Sequence, residues 1–237
     1  MINTVLFDLD GTLLPMDNDE FTKYYFKLLA GVLIPMGYDP QQLIDAVWAG
    51  TAAMVRNDGS RPNEEAFWEC FGGIIGERAL NDKDKFIDFY RNQFGGAKAA
   101  CGYNALVPEL IGRLKAKGTP IALATNPIFP EVATLQRISW AGLSPDDFRL
   151  YTVYENIGYS KPNPEYYREV CRRLGVRPEE CLMVGNDADE DMIAEQLGMD
   201  VFLVTDNVIN KQGKDISQWK NGSFADLAEL LESEGLI

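Results

Sequence analysis

The segment Asn3-Thr4-Val5-Leu6-Phe7-Asp8-Leu9-Asp10-Gly11-Thr12 constrains the fold more than any other part of this 237-residue chain. Its first five residues read as a buried strand that runs straight into a carboxylate, with a second carboxylate two positions on. Gly11 and Thr12 then allow a tight turn. Two acids leaving one buried strand are expensive to desolvate unless a cation or a chemical role compensates. Three later segments repeat the theme of polar residues at or just beyond an apolar run. They are Thr125-Asn126 after Pro120–Ala124, Lys161-Pro162, and Gly185-Asn186-Asp187 with Asp191 after Cys181–Val184. A doubly wound sheet brings such strand ends together in the crevice at its carboxyl edge.

The rest of the chain fits that architecture. From Val107 onward helical and strand periodicities alternate: a helix from about Pro108 to Lys117, a strand to Ala124, and a helix from Pro130 to Ala141. A short strand lies near Leu150–Tyr154, followed by a helix to Leu174 with Asn163 as N-cap and Pro164 at its first position. The strand Cys181–Val184, a helix over Asp189–Leu197, the strand Val201–Val204, a polar excursion to Asn221 and a helix over Phe224–Glu232 complete it. This alternation predicts an α/β fold with a doubly wound parallel sheet. Residues 21–96 instead carry helical spacing throughout, with Asn63 and Asp82 as expected N-caps and Arg56–Pro62 as a loop.

Composition narrows the chemistry. There are no histidines, which excludes Ser-His-Asp and Cys-His catalysis and any histidine-ligated zinc. A formal charge of −14 argues against nucleic acid or an anionic membrane as partner. The longest apolar run, Leu28–Met36, is broken by Gly31 and Pro35 and is too short to span a bilayer. No basic leader precedes the first strand, and the four cysteines form no CxxC pair. The expectation is a cytoplasmic protein with free thiols.

The four segments occur in the order and at the separations of the motifs of the haloacid dehalogenase superfamily, and the chain resembles its phosphatase branch over essentially its whole length. The resemblance implies a Rossmann-like catalytic core, residues 1–16 and 99–237, and an α-helical cap, residues 17–98. It implies that Asp8 is a nucleophile forming an aspartyl-phosphate, and that Asp10 protonates the leaving group and then deprotonates the attacking water. Thr125 and Asn126 would hold phosphoryl oxygens without adding charge, while Lys161 steadies both Asp8 and the phosphoryl group. A divalent cation among the acids would reconcile a phosphate-ester substrate with so acidic a chain. Mg²⁺ is expected on Asp8, the Asp10 carbonyl and Asp187, with Asp191 supporting from behind.

The fourth segment departs from the commonest family form, because Gly185 is followed by Asn186 and only then by Asp187. If the Asp191 end sets the register, Asn186 stands where the usual first acid would be. The reading adopted takes Asp187 as direct ligand, and Asp189 and Glu190 as a solvated acid pair at a helix start. In the inserted region Arg56, Asn57 and Arg61 are candidate substrate contacts, and the stretches 14–18 and 95–103 are candidate hinges. The expected function is a magnesium-dependent phosphatase of a small phosphorylated metabolite, monomeric or dimeric. A phosphomutase is the nearest alternative, and a non-catalytic binding protein on the same fold a more distant one. A dehalogenase is disfavoured, because it has no leaving alkoxide for Asp10 to protonate.

Overall fold

The computed structural model describes residues 1–237. Six parallel strands form one sheet: β1 (Thr4–Phe7), β2 (Ile121–Leu123), β3 (Leu150–Tyr151), β4 (Cys181–Gly185), β5 (Asp200–Val204) and β6 (Lys220–Gly222). Their order is β3-β2-β1-β4-β5-β6, so the chain winds outward from β1 through β2 to β3 and then restarts on the other side of β1 with β4. That reversal is the switch point where a crevice opens beyond the strand ends. Register brings the key segments side by side: Phe7 pairs with Leu123 on one flank and with Val184 on the other.

Both faces of the sheet are covered, and the strand residues divide between them with a period of two. Val5, Phe7, Leu123, Leu182, Val184, Phe202 and Val204 join the larger apolar core, whereas Leu6, Ala122, Met183, Val201 and Leu203 join the smaller one behind the sheet. Near-continuous apolar strands of this kind are what a doubly covered parallel sheet requires.

Between β1 and β2 the chain inserts five helices: α1 (Asn18–Leu33), α2 (Pro40–Val55), α3 (Asn63–Ile75), α4 (Glu77–Asn81) and α5 (Lys83–Asn92). A 3₁₀ segment, Phe94–Ala100, returns the chain to α6 (Leu106–Lys117). The core helices that follow are α7 (Glu131–Trp140), α8 (Pro164–Leu174) and α9 (Phe224–Ser233). Aromatic side chains of the insertion continue the larger core directly, with Phe21 and Phe94 packed edge-to-face at 6.2 Å and Phe94 stacked on Trp140 at 5.3 Å.

Local differences from the sequence reading have physical causes. Asn163 caps α8 as expected, accepting from the Glu165 N–H at 3.0 Å with Pro164 next. Asn63 does not cap, whereas Asp82 does take the N-cap position of α5 but makes no side-chain cap hydrogen bond. Asn63 is already helical, and its side chain is spent on tertiary bonds. The Asp82 carboxylate accepts from the Tyr38 hydroxyl at 2.9 Å and from Lys85 at 2.7 Å. The helix expected over Asp189–Leu197 is a pair of turns followed by a 3₁₀ segment, Met192–Leu197. The polar stretch ending at Asn221 contains the edge strand β6, which pairs with β5 through backbone alone.

Candidate active site

The site is built where β1, β2 and β4 end. The Asp8 N–H donates to Val184 O at 2.9 Å, and Ala124 N–H donates to Phe7 O at 2.7 Å, so Asp8, Thr125 and Gly185 are placed by the sheet itself. Gly11 turns the chain with φ of +87°, and a side chain there would collide with Asn186, whose amide lies 2.2 Å from where its Cβ would stand. Gly185 is needed for a similar reason, since a Cβ would meet the Asp191 carboxylate at 2.1 Å. Both glycines allow the β1 and β4 loops to interlock.

Lys161 is the electrostatic centre. Its Nζ donates to Asp8 Oδ1 at 2.8 Å and to Asp191 Oδ1 at 2.6 Å, and all three side chains are buried. Burial opposes the ammonium charge, but Asp191 and Asp8 outweigh it and hold Lys161 well above its ordinary pKa. Burial pushes the Asp8 carboxyl up to about 7, with Asp191 and Asp10 adding to the rise and Lys161 opposing it. Asp191 is tied on its other side by the Asp187 N–H, which donates to Oδ2 at 2.9 Å.

Asp10 is partnered by the buried guanidinium of Arg137, which also donates to Thr134 Oγ1 at 3.2 Å and lies 4.5 Å over the Phe129 ring. The other Asp10 oxygen, Oδ1, is buried and has no protein partner. Burial raises the Asp10 pKa against the pull of Arg137 and Lys161, so its carboxyl holds a proton more readily than a surface aspartate.

On the β2 side, the Thr125 carbonyl accepts from Thr152 Oγ1 at 2.6 Å and from the Tyr166 hydroxyl at 2.9 Å, which fixes the residue without using its hydroxyl. Asn126 donates through Nδ2 to Glu190 at 2.9 Å, and its Oδ1 accepts from the Lys161 N–H at 3.3 Å. Asp187 Oδ1 caps its own turn, accepting from the Asp189 and Glu190 N–H groups at 2.7 and 3.0 Å.

Asp8, Asp10, Thr125, Asn126, Asp187 and Asp191 all line one cavity of about 230 Å³, with Lys161 behind them. Arg56 and Arg61 do not reach it. Arg56 is exposed, and Arg61 pairs with Glu69 on the surface. Asn57 is buried, but it donates to Arg61 O at 2.8 Å and Asn63 Oδ1 at 2.9 Å instead of facing the cavity. No three acidic side chains converge tightly enough to ligate one ion by themselves. A cation bound by Asp8, the Asp10 carbonyl, Asp187 and waters suits the donors present, all hard oxygens. Five carboxylates line the cavity, including Glu190, against two buried cations paired with them.

A model of the haloacid dehalogenase-like hydrolase family matches residues 2–198. The chain belongs to this family. Among curated proteins it is 28% identical to the N-acetylmuramic acid 6-phosphate phosphatase of Pseudomonas aeruginosa, covering 78% of this chain and 74% of that protein. It is 26% identical to the glyceraldehyde 3-phosphate phosphatase of Methanothermobacter thermautotrophicus, over 92% and 95% of the two chains. Its fold is that of the HAD-hydrolase YfnB of Bacillus subtilis, described as bound to magnesium, with a TM-score of 0.59, 18% identity and coverage of 98% and 99%. This haloacid dehalogenase-like hydrolase is a phosphoric monoester hydrolase. No helix is long and apolar enough to cross a membrane.

The partners of three side chains of the candidate site are not legible in the sequence. Arg137 shares the buried stripe of α7 with Ala133 and Trp140, a spacing that signals an inward-facing arginine, and only the tertiary fold brings it to Asp10. Thr12 donates to Asn186 Oδ1 at 3.0 Å, coupling the first and fourth segments. Glu190, expected to be solvated, is drawn inward by Asn126 and pushed by burial to about 7. Its neighbour Asp189 pairs with Lys214 at 2.6 Å.

Proposed function

We propose that this enzyme is a magnesium-dependent phosphatase that hydrolyses a small phosphorylated metabolite through an aspartyl-phosphate on Asp8. The observation that carries the reading is the buried Lys161 bridge to Asp8 and Asp191, beside a separately held Asp10. Lys161 fixes the nucleophile's position and supplies positive charge where phosphoryl oxygens would lie.

In the first step an Asp8 carboxylate oxygen bonds to phosphorus and the ester P–O bond breaks. The departing alkoxide takes the proton from Asp10, whose buried carboxyl is disposed to carry one. In the second step Asp10, now ionised, takes a proton from water as its oxygen attacks phosphorus; the Asp8–phosphorus bond breaks and inorganic phosphate leaves. Arg137 keeps Asp10 oriented across both steps. Thr125, Asn126 and Lys161 cradle the phosphoryl oxygens, and Asp191 anchors Lys161. Mg²⁺ held by Asp8, the Asp10 carbonyl and Asp187 would neutralise phosphoryl charge and favour ionised Asp8.

Residues 17–98 are assigned as a cap over a core of residues 1–16 and 99–237. What supports this is a cavity lining shared between α1–α3, α5 and the strand ends. The test is phosphate release from phosphomonoesters with Mg²⁺, compared for the parent and Asp8→Asn. Turnover that survives the substitution removes Asp8 from its role.

A further inference from the structure

The cavity has two unlike ends. At its floor stand the acids of the strand ends, and over them the insertion contributes an apolar, largely aromatic wall. Tyr25 and Phe26 of α1, Trp48 of α2, Phe67 and Trp68 of α3 and Tyr90 of α5 all line it. No charged side chain from residues 17–98 lines the cavity. The polar groups that the insertion offers there are neutral, and the two tyrosine hydroxyls are already bonded to each other at 2.9 Å. Trp48 is 51% exposed although it packs 5.5 Å from Phe26, so one large ring stands open to solvent at this wall. Trp68 is 6% exposed, and its buried indole N–H has no hydrogen-bond partner.

A phosphate ester bound with its phosphorus beside Asp8 must place its organic part against this wall. A carboxylate or second phosphate there would be desolvated with no cation to meet it, at a cost of several kcal/mol. A flat apolar ring would instead gain burial and edge-to-face or stacked contact with the rings already present. The volume of about 230 Å³ lies below the range of roughly 300–1,000 Å³ typical of drug-sized ligands, which suits one ring and a phosphoryl group. Building on the phosphatase reading, we infer that the preferred substrate is the monophosphate ester of an uncharged aromatic alcohol, recognised by the aromatic wall of the insertion.

The test compares benzyl phosphate, cyclohexylmethyl phosphate and phosphoglycolate, whose alkoxide leaving groups demand similar protonation, by kcat/KM and by calorimetric binding to Asp8→Asn. Benzyl phosphate should exceed phosphoglycolate by at least about 100-fold, the factor set by an unpaired carboxylate. It should exceed the cyclohexyl ester by about three- to tenfold, the factor set by ring contacts. Trp48→Ala should lower the benzyl-to-phosphoglycolate ratio about tenfold. Thr51→Arg, which adds a cation to the wall, should lower it further, with thermal melts checking that each variant is folded. Equal efficiency on benzyl phosphate and phosphoglycolate, or an unchanged ratio in both variants, would overturn the inference. Preferential binding of benzyl phosphate without turnover of any ester would uphold recognition by the aromatic wall and sink the catalytic reading, whereas turnover of all three esters without preference would do the reverse.

Discussion

Asp191→Asn isolates what the buried bridge contributes. Asp191 and Lys161 are each 1% exposed and 2.6 Å apart, so solvent screens their pairing little. Removing one partner from a buried pair costs about 3–5 kcal/mol, because an ammonium is left under-compensated in a poor solvent. Two features moderate the loss here: Asp8 stays 2.8 Å from the same ammonium, and an asparagine oxygen still offers one acceptor. A destabilisation of about 2–3 kcal/mol follows. At this chain length each kcal/mol moves Tm by about 2–4 °C, so the variant should melt about 5–10 °C lower. The Asp187 N–H also loses a charged acceptor, so the β4 loop should loosen and kcat/KM should fall with stability. Differential scanning calorimetry in matched buffers with chelator, alongside phosphate-release kinetics, reads both effects. A Tm within about 2 °C of the parent would refute the argument that Asp191 holds Lys161 in place.

Four further outcomes follow from the same geometry. Asp8→Asn should flatten the pH dependence of stability in chelator: burial holds the folded Asp8 pKa at about 7 against an ordinary 3.8, so the parent loses stability as pH rises between those values and the variant does not; equal pH dependence of Tm in the two proteins across that range would contradict this. Arg137→Met removes a group that lowers the Asp10 pKa, so the alkaline limb of kcat/KM should move to higher pH as kcat falls, and an unmoved limb would deny Asp10 the acid role. Asn63→Ala deletes bonds to Pro127 O at 3.1 Å and Ser160 Oγ at 2.9 Å from a fully buried side chain, and should cost about 2–4 kcal/mol in chemical denaturation; a loss below about 0.5 kcal/mol would mean this polar latch between α3 and the Lys161 loop is replaceable by water. Excess EDTA should abolish turnover and added Mg²⁺ restore it, while full activity in EDTA would remove the metal from the account.

The sheet and the strand-end site were legible because they depend on local pattern. Apolar runs of four or five residues can only be buried strands when polar segments interrupt them so regularly, and their ends must share one edge of a parallel sheet. What lay beyond the sequence depends on where distant side chains meet. Arg137 falls on the apolar stripe of its helix with Ala133 and Trp140, which marks it as inward-facing but says nothing of its partner, Asp10. Arg56 and Arg61 suited an anion by type. However, their loop is drawn away by Asn57 and Asn63, whose N–H donates to Ile157 O at 2.9 Å. At Asp189 the Asp187 carboxylate accepts from the two N–H groups that follow it, as an N-cap would, yet the chain continues as turns and the 3₁₀ segment Met192–Leu197, a tertiary outcome that local pattern does not carry. β6 escaped notice because Lys-Asn-Gly at a sheet edge needs only backbone pairing.

The central claim is covalent catalysis on Asp8. Acid-quenching the enzyme during turnover of a radiolabelled phosphomonoester, then digesting and mapping the label, tests it most directly. Label on the peptide containing Asp8 in the parent, lost in Asp8→Asn and enriched in Asp10→Asn with a good leaving group, is the expected result, because breakdown of the aspartyl-phosphate needs the base that Asp10 provides. Burst-free turnover with no protein-bound label, or label that persists in Asp8→Asn, would contradict it.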